Sequence, residues 1–100
     1  MTKIDIILKY PTFSLKAEGH ANYSNVGTDI VCASISTLMQ YLIFTLSKEN
    51  KDNFIMETGF VEYETRIKSS QRVWINTFIE CIISLQTQYP NNIKLNLNYE

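Results

Sequence analysis

The 100 residues predict an α+β domain in two layers, one antiparallel or mixed sheet with two helices on one face. Three observations carry this. Five short segments alternate apolar with polar residues, as strands with one buried face do. Two longer segments, residues 29–48 and 71–88, repeat apolar residues at helical spacing. Polar or proline-containing breaks separate the segments in the order β-β-α-β-β-α-β.

The first strand is set by Ile4, Ile6, Leu8 and Tyr10 against Lys3, Asp5 and Lys9, with Ile7 breaking the alternation. Pro11-Thr12 ends it, and Phe13, Leu15 and Ala17 against Ser14, Lys16 and Glu18 form a second strand able to pair with it as a hairpin. Residues 22–28 are turn-rich and read as a loop. Thr28 or Asp29 then caps a helix whose stripe is Val31, Ile35, Leu38, Leu42 and Leu46 (or Thr45), widened by Met39, Ile43 and Phe44.

After the polar residues 49–53, a hairpin turns at Thr58-Gly59. A two-residue turn pairs Met56 with Val61 and Phe54 with Tyr63 on one face, and Glu57 with Phe60 and Ile55 with Glu62 on the other. Ser69 or Ser70 caps the second helix. Its stripe runs Trp74, Phe78, Cys81, Leu85 and Tyr89, broadened by Ile75, Ile79, Ile82 and Ile83, and Pro90-Asn91-Asn92 stops it. Ile93, Leu95, Leu97 and Tyr99 form the last strand. Both helices are too apolar for a monomer to cover, which predicts a symmetric dimer packed through a helix.

Composition narrows the function classes. A net charge of −1 and the lack of any Lys/Arg-rich run argue against nucleic acid as the main ligand. The N-terminus carries an acid where an export segment would be apolar. The longest apolar region, residues 30–46, is interrupted by Ser34, Ser36, Thr37, Gln40 and Thr45, so no membrane span is expected. Two cysteines without an export signal predict free thiols in a reducing cytoplasm. No His/Cys cluster has metal-ligand spacing, and no Gly-rich phosphate loop is present, so neither a metal nor a cofactor is expected. The chain reads as one domain over residues 1–100.

The most informative stretch is Gly19-His20-Ala21 followed by Gly27-Thr28-Asp29-Ile30-Val31-Cys32-Ala33. It holds the only histidine and one of the two cysteines. With Asp29 as N-cap, Cys32 falls in the first helical turn, where free N–H groups and the helix dipole favour an anion. A thiol so placed, with an imidazole in reach, is the equipment of a cysteine nucleophile. Strand parity puts His20 on the polar side with Lys16 and Glu18. The Asp29 charge opposes the thiolate if it faces the sulfur, and helps if it caps the helix or orients His20. Amides near Ala33 are candidates for holding an oxyanion. The plainer alternative is a lone histidine and a cysteine packed as a small hydrophobe, which is how Cys81 reads.

The run G-H-A-N-Y-S-N-V-G-T-D-I-V-C-A-S-I-S resembles the signature of the bacterial ribosomal-processing cysteine protease family, Prp. Gly19, His20, Ala21, Gly27, Asp29, Val31, Cys32, Ala33 and Ser36 match it. Ser34 stands where the family more often has Ala or Gly. The resemblance implies a homodimeric, cytoplasmic cysteine endopeptidase with no cofactor. The family's substrate is the precursor of bacterial large-subunit ribosomal protein twenty-seven, from which it removes an N-terminal extension after a pair of aromatic residues. It implies Cys32 as nucleophile and His20 as general base, with Asp29 and Ser36 in support. It also implies that a substrate-ordered loop includes Gly19, Ala21, Asn22, Tyr23, Ser24, Asn25, Val26 and Gly27. The alternative functions are a non-catalytic homodimeric module binding ribosomal protein or assembly factors, and a redox-sensing thiol. The latter lacks a resolving cysteine nearby.

Overall fold

The computed structural model describes residues 1–25 and 29–99. Five strands and two helices follow one another as the sequence predicts. They are β1 (Thr2–Lys9), β2 (Thr12–Glu18), α1 (Ile30–Asn50), β3 (Phe54–Glu57), β4 (Phe60–Arg66), α2 (Arg72–Gln88) and β5 (Ile93–Tyr99). The sheet order is β3-β4-β2-β1-β5. Every neighbouring pair is antiparallel except β1 with β5, so of the two sheet types left open by the alternation pattern the mixed one forms. The parallel pair arises because β5 returns to the sheet only after α2 has crossed it.

The alternation sorts the sheet into a dry and a wet face. Ile4, Ile6, Phe13, Leu15, Ala17, Val61, Tyr63 and Ile93 point inward and are buried. Lys16, Glu18, Glu62, Glu64, Lys94 and Asn96 point outward and are exposed. The paired residues of β3 and β4 are Phe54↔Tyr63, Ile55↔Glu62, Met56↔Val61 and Glu57↔Phe60, the register expected from the two-residue turn. Gly59 occupies the second turn position with φ +76°, a conformation that suits glycine.

Both helices lie on the dry face. Helix α1 buries Val31, Ile35, Met39, Leu42, Ile43 and Leu46; α2 buries Ile75, Phe78, Ile79 and Ile82. By length and composition alone α1 is apolar enough to cross a bilayer. Here its inner stripe is instead built into the core of the sheet layer. Its outer face leaves Tyr41 and Phe44 exposed, and Phe44 packs its ring on Phe54 of β3 with centroids 5.6 Å apart.

Two details differ from the sequence reading. Neither Ser69 nor Ser70 caps α2. Residues Ser69–Gln71 instead form one 3₁₀ turn leading into the helix, and the buried Gln71 accepts the Lys68 amide through Oε1 at 3.0 Å. Gln71 also donates to Glu49 and Asn50, so a glutamine within the core joins the end of α1 to the start of α2. Cys81 is half-buried and sits beside the buried stripe of α2, not within the core cluster. The helix turns its Ile75, Phe78, Ile79 and Ile82 face to the sheet, which rotates Cys81 toward the edge and leaves Trp74, the first residue of the expected stripe, exposed.

The end of α1 is fixed by polar contacts. Tyr63 donates its phenol to Asp52 Oδ1 at 2.9 Å, Thr65 donates to Asp52 Oδ2, and Asn50 donates to Thr65. Burial holds the Tyr63 phenol well above its ordinary value, and the Asp52 carboxylate adds to this, so the phenol stays a neutral donor. At the centre of the helix Ile43 is completely buried. Replacing it with alanine is expected to destabilise the fold by about 2–5 kcal/mol, read from the urea unfolding midpoint.

Candidate active site

Strand β2 ends at Glu18, and Gly19 turns the chain out of the sheet with φ +95°. A Cβ at Gly19 would come 2.6 Å from the carbonyl oxygen of Met1, so only glycine passes here without a shift. His20 follows and is exposed, as strand parity predicted, although the turn at Gly19 and not the strand itself is what presents it. Ala21 is fully buried. Its amide donates to Cys32 Sγ at 3.2 Å, and its carbonyl accepts from Asn92 Nδ2 at 2.9 Å. The sulfur at the start of α1 is therefore joined directly to the residue after the histidine.

Asp29 is the N-cap of α1, with extended backbone. Its Oδ1 accepts the amides of Val31 at 2.9 Å and Cys32 at 3.0 Å. Its Oδ2 accepts the amides of Tyr23 at 2.9 Å and Ser24 at 3.1 Å. Of the three roles open to this carboxylate, the geometry selects capping. Among the described residues its hydrogen-bond donors are backbone amides, and His20 is not one of them. Burial acts to raise the Asp29 pKa, but the amides of Cys32, Ser24, Tyr23 and Val31 outweigh it and hold the carboxyl below its ordinary 3.8.

The same capping engages the amides near Ala33. The Ala33 amide donates to the Asp29 carbonyl at 3.1 Å as the first helical bond, while those of Val31 and Cys32 are taken by the Asp29 side chain.

A cleft of about 720 Å³ opens between the start of α1, the end of β2 and the β3–β4 turn. His20 and Cys32 both line it. Ser36, one turn beyond Cys32 on the same helix face, lines it too, as do Ala33 and Asp29. Of the loop residues, Gly19, Asn22 and Ser24 reach the cleft. Tyr23 turns its ring away, edge-on to Tyr89 with centroids 5.3 Å apart, and Asn25 is exposed. Val26 and Gly27, and Thr28 as the other candidate cap, lie outside the described residues. Ser34 bonds back to the Ile30 carbonyl at 2.7 Å and does not line the cleft.

Three contributors escaped the sequence reading. The far wall is Met56, Phe60 and Val61 of the second hairpin. Gly59 lies against the Nε2–Cε1 edge of the His20 ring, and Asn92 anchors Ala21 from 71 residues away. The hairpin itself was legible, but its place beside His20 depends on which strand β4 pairs with. No sequence signal distinguished Asn92 from an ordinary helix-stop residue.

Asp29→Asn keeps one oxygen for the helix start but sets an NH₂ against the donors of Tyr23 and Ser24, or the reverse. The variant is expected to melt several degrees below wild type at neutral pH. Because the folded carboxyl has a lowered pKa, its contribution is complete above the ordinary 3.8 and is lost as pH falls through the folded value. The gap in melting temperature, followed by circular dichroism, therefore narrows below about pH 3.8.

The sequence matches the family described as cysteine protease Prp over residues 1–94. No curated protein matches it. Among solved structures, a Streptococcus mutans protein superimposes with a TM-score of 0.74 at 20% identity, covering 100% of this chain and 96% of its own. The S. aureus ribosomal processing protease Prp with a covalently linked product peptide gives 0.75 at 20% identity, each chain covered to 100%. The same S. aureus protease with a substrate peptide gives 0.73 at 18%, over 98% and 100% of the two chains. These likenesses establish a shared fold. With the match extending over nearly the whole sequence, this chain belongs to the Prp family and is a cysteine protease.

Proposed function

We propose that this protease is a cytoplasmic processing enzyme that removes the N-terminal extension of bacterial large-subunit ribosomal protein twenty-seven. The observation that carries the reading is the shared cleft of Cys32 and His20, the sulfur already in contact with the residue that follows the imidazole. The S. aureus relatives, described as ribosomal processing proteases and solved with substrate and product peptides, support the choice of a peptide substrate. The apolar wall of Met56, Phe60 and Val61 suits the aromatic pair that the family cleaves after.

In this reading His20 takes the thiol proton and Cys32 Sγ attacks the scissile carbonyl, forming a C–S bond and a tetrahedral oxyanion. Collapse breaks the C–N bond, and the imidazolium gives its proton to the departing amine. His20 next takes a proton from water, whose oxygen attacks the thioester. Collapse of this second intermediate breaks the C–S bond, the imidazolium returns its proton to the sulfur, and the carboxylic acid leaves. The Ala21 N–H holds the sulfur in place before attack. Asp29 fixes both the helix start and the loop behind His20, and Ser36 borders the cleft as a supporting residue.

Incubation with a peptide spanning the extended precursor, followed by mass spectrometry, tests the reading. Cys32→Ala and His20→Ala are each expected to abolish cleavage without unfolding the protein. Cys81→Ala, whose side chain lies outside the cleft, cleaves as wild type. Iodoacetamide is expected to label Cys32 faster than Cys81 near neutral pH. Cleavage at the normal rate by Cys32→Ala would refute its role as nucleophile, and a folded chain inert toward the precursor would favour a binding module.

The chain is further proposed to act as a homodimer through the outer face of α1. Tyr41 is 77% exposed there, on the same helix as Phe44, whose ring packs at a tilt on Phe54. An apolar cluster of this kind is typical of a surface that is covered in solution. Analytical ultracentrifugation is expected to show two chains for wild type and one for Tyr41→Lys combined with Phe44→Glu. A wild type sedimenting as one chain would contradict the dimer.

A further inference from the structure

Resting on the reading of His20 as proton carrier, we propose that Gly59 is a positioning residue whose bare Cα face seats the imidazole. The seat is a close contact. A Cβ built on Gly59 would lie 3.0 Å from His20 Nε2 and 3.1 Å from Cε1, so a methyl group there makes the ring give by a few tenths of an ångström. The two segments are also tied together at the backbone, where the Gly19 amide donates to the Gly59 carbonyl at 2.9 Å.

The sheet register produces this meeting. Strands β2 and β4 pair down to Glu18↔Phe60, and the next step along the two chains sets Gly19 against Gly59. The tip of the β3–β4 hairpin thus becomes a wall for the residue that leaves β2. Position 59 is glycine for two separate reasons. Its φ of +76° favours glycine but also admits asparagine. The ring edge against it gives way to any Cβ only by moving.

The wall answers a mechanical need. His20 is exposed and belongs to no helix or strand. Without a surface against it, the ring would sample several rotamers, and proton transfer requires a narrow range of distance to the sulfur. A side chain at position 59 moves the ring away from its seat, by a few tenths of an ångström for a methyl group and by more for asparagine. A displacement of about 1 Å in a reacting group costs on the order of 100-fold in rate.

The test uses the full-length chain, whose single histidine makes the ring signals unambiguous in an NMR spectrum. In wild type a nuclear Overhauser effect is expected between His20 Hε1 and the Gly59 α-protons. Gly59→Ala and Gly59→Asn are then compared for cleavage of the precursor peptide. Asparagine tolerates the positive φ, so this variant keeps the turn where alanine strains it. Both are expected to lose kcat with KM little changed, asparagine more than alanine and up to on the order of 100-fold, and to shift the His20 ring resonances. A folded Gly59→Asn with wild-type kcat and unmoved ring resonances overturns the proposal. A wild-type spectrum lacking the Overhauser contact overturns it without reference to any variant. Cleavage by His20→Ala would instead overturn the reading on which the seat rests.

Discussion

The Asp29 carboxylate accepts two amides from the helix it caps and two from the loop that leads away from His20. Each set depends on the same group. Without the cap, the first turn of α1 loses the partners of its Val31 and Cys32 amides. Without the loop bonds, the chain beyond His20 is left with the Ala21 amide on Sγ among its described ties to the helix that carries the sulfur. A single buried charge therefore fixes the distance between a strand end and a helix start, and its depressed pKa is the electrostatic record of those four bonds. The bond from the Ala21 amide to Sγ, with Asn92 holding the same residue from the other side, completes the frame.

That frame sits at one end of the molecule, and a second polar cluster sits at the other. Asn50, Asp52, Tyr63, Thr65 and Gln71 tie the end of α1 to the sheet and to the entrance of α2. The long helix is thus held at both tips by hydrogen bonds and along its length by apolar burial. This division suits a protease of this size. The buried stripe resists rotation of the helix, while capping at the start sets where the thiol emerges. A small core leaves little reserve, so the polar ends matter more than they would in a larger domain.

The cleft is assembled from three segments that are distant in the chain: the exit of β2, the start of α1 and the β3–β4 turn. Each contributes a different kind of group. The loop brings the imidazole, the helix brings the sulfur, and the hairpin brings an apolar wall and a glycine with no side chain. The proposed chemistry assigns little to the side chains of the helix start beyond Cys32, because its amides are already committed to the cap.

Local periodicity was enough to read the element order, the two-residue turn at Thr58-Gly59 and the hairpin register, because alternation and turn chemistry act over a few residues. The signature around His20 and Cys32 was legible for the same reason, as was Asp29 as a cap. What the sequence left open were matters of partner choice. Both serines before α2 looked like caps, yet a 3₁₀ turn around buried Gln71 took that place. Cys81 fitted the apolar stripe, yet the rotation of α2 set it beside the core. The seat of His20 on Gly59 and the hold of Asn92 on Ala21 depend on β4 pairing with β2, and on β5 returning beside β1. Those pairings are chosen by burial of the whole dry face at once, a long-range sum that no local window contains.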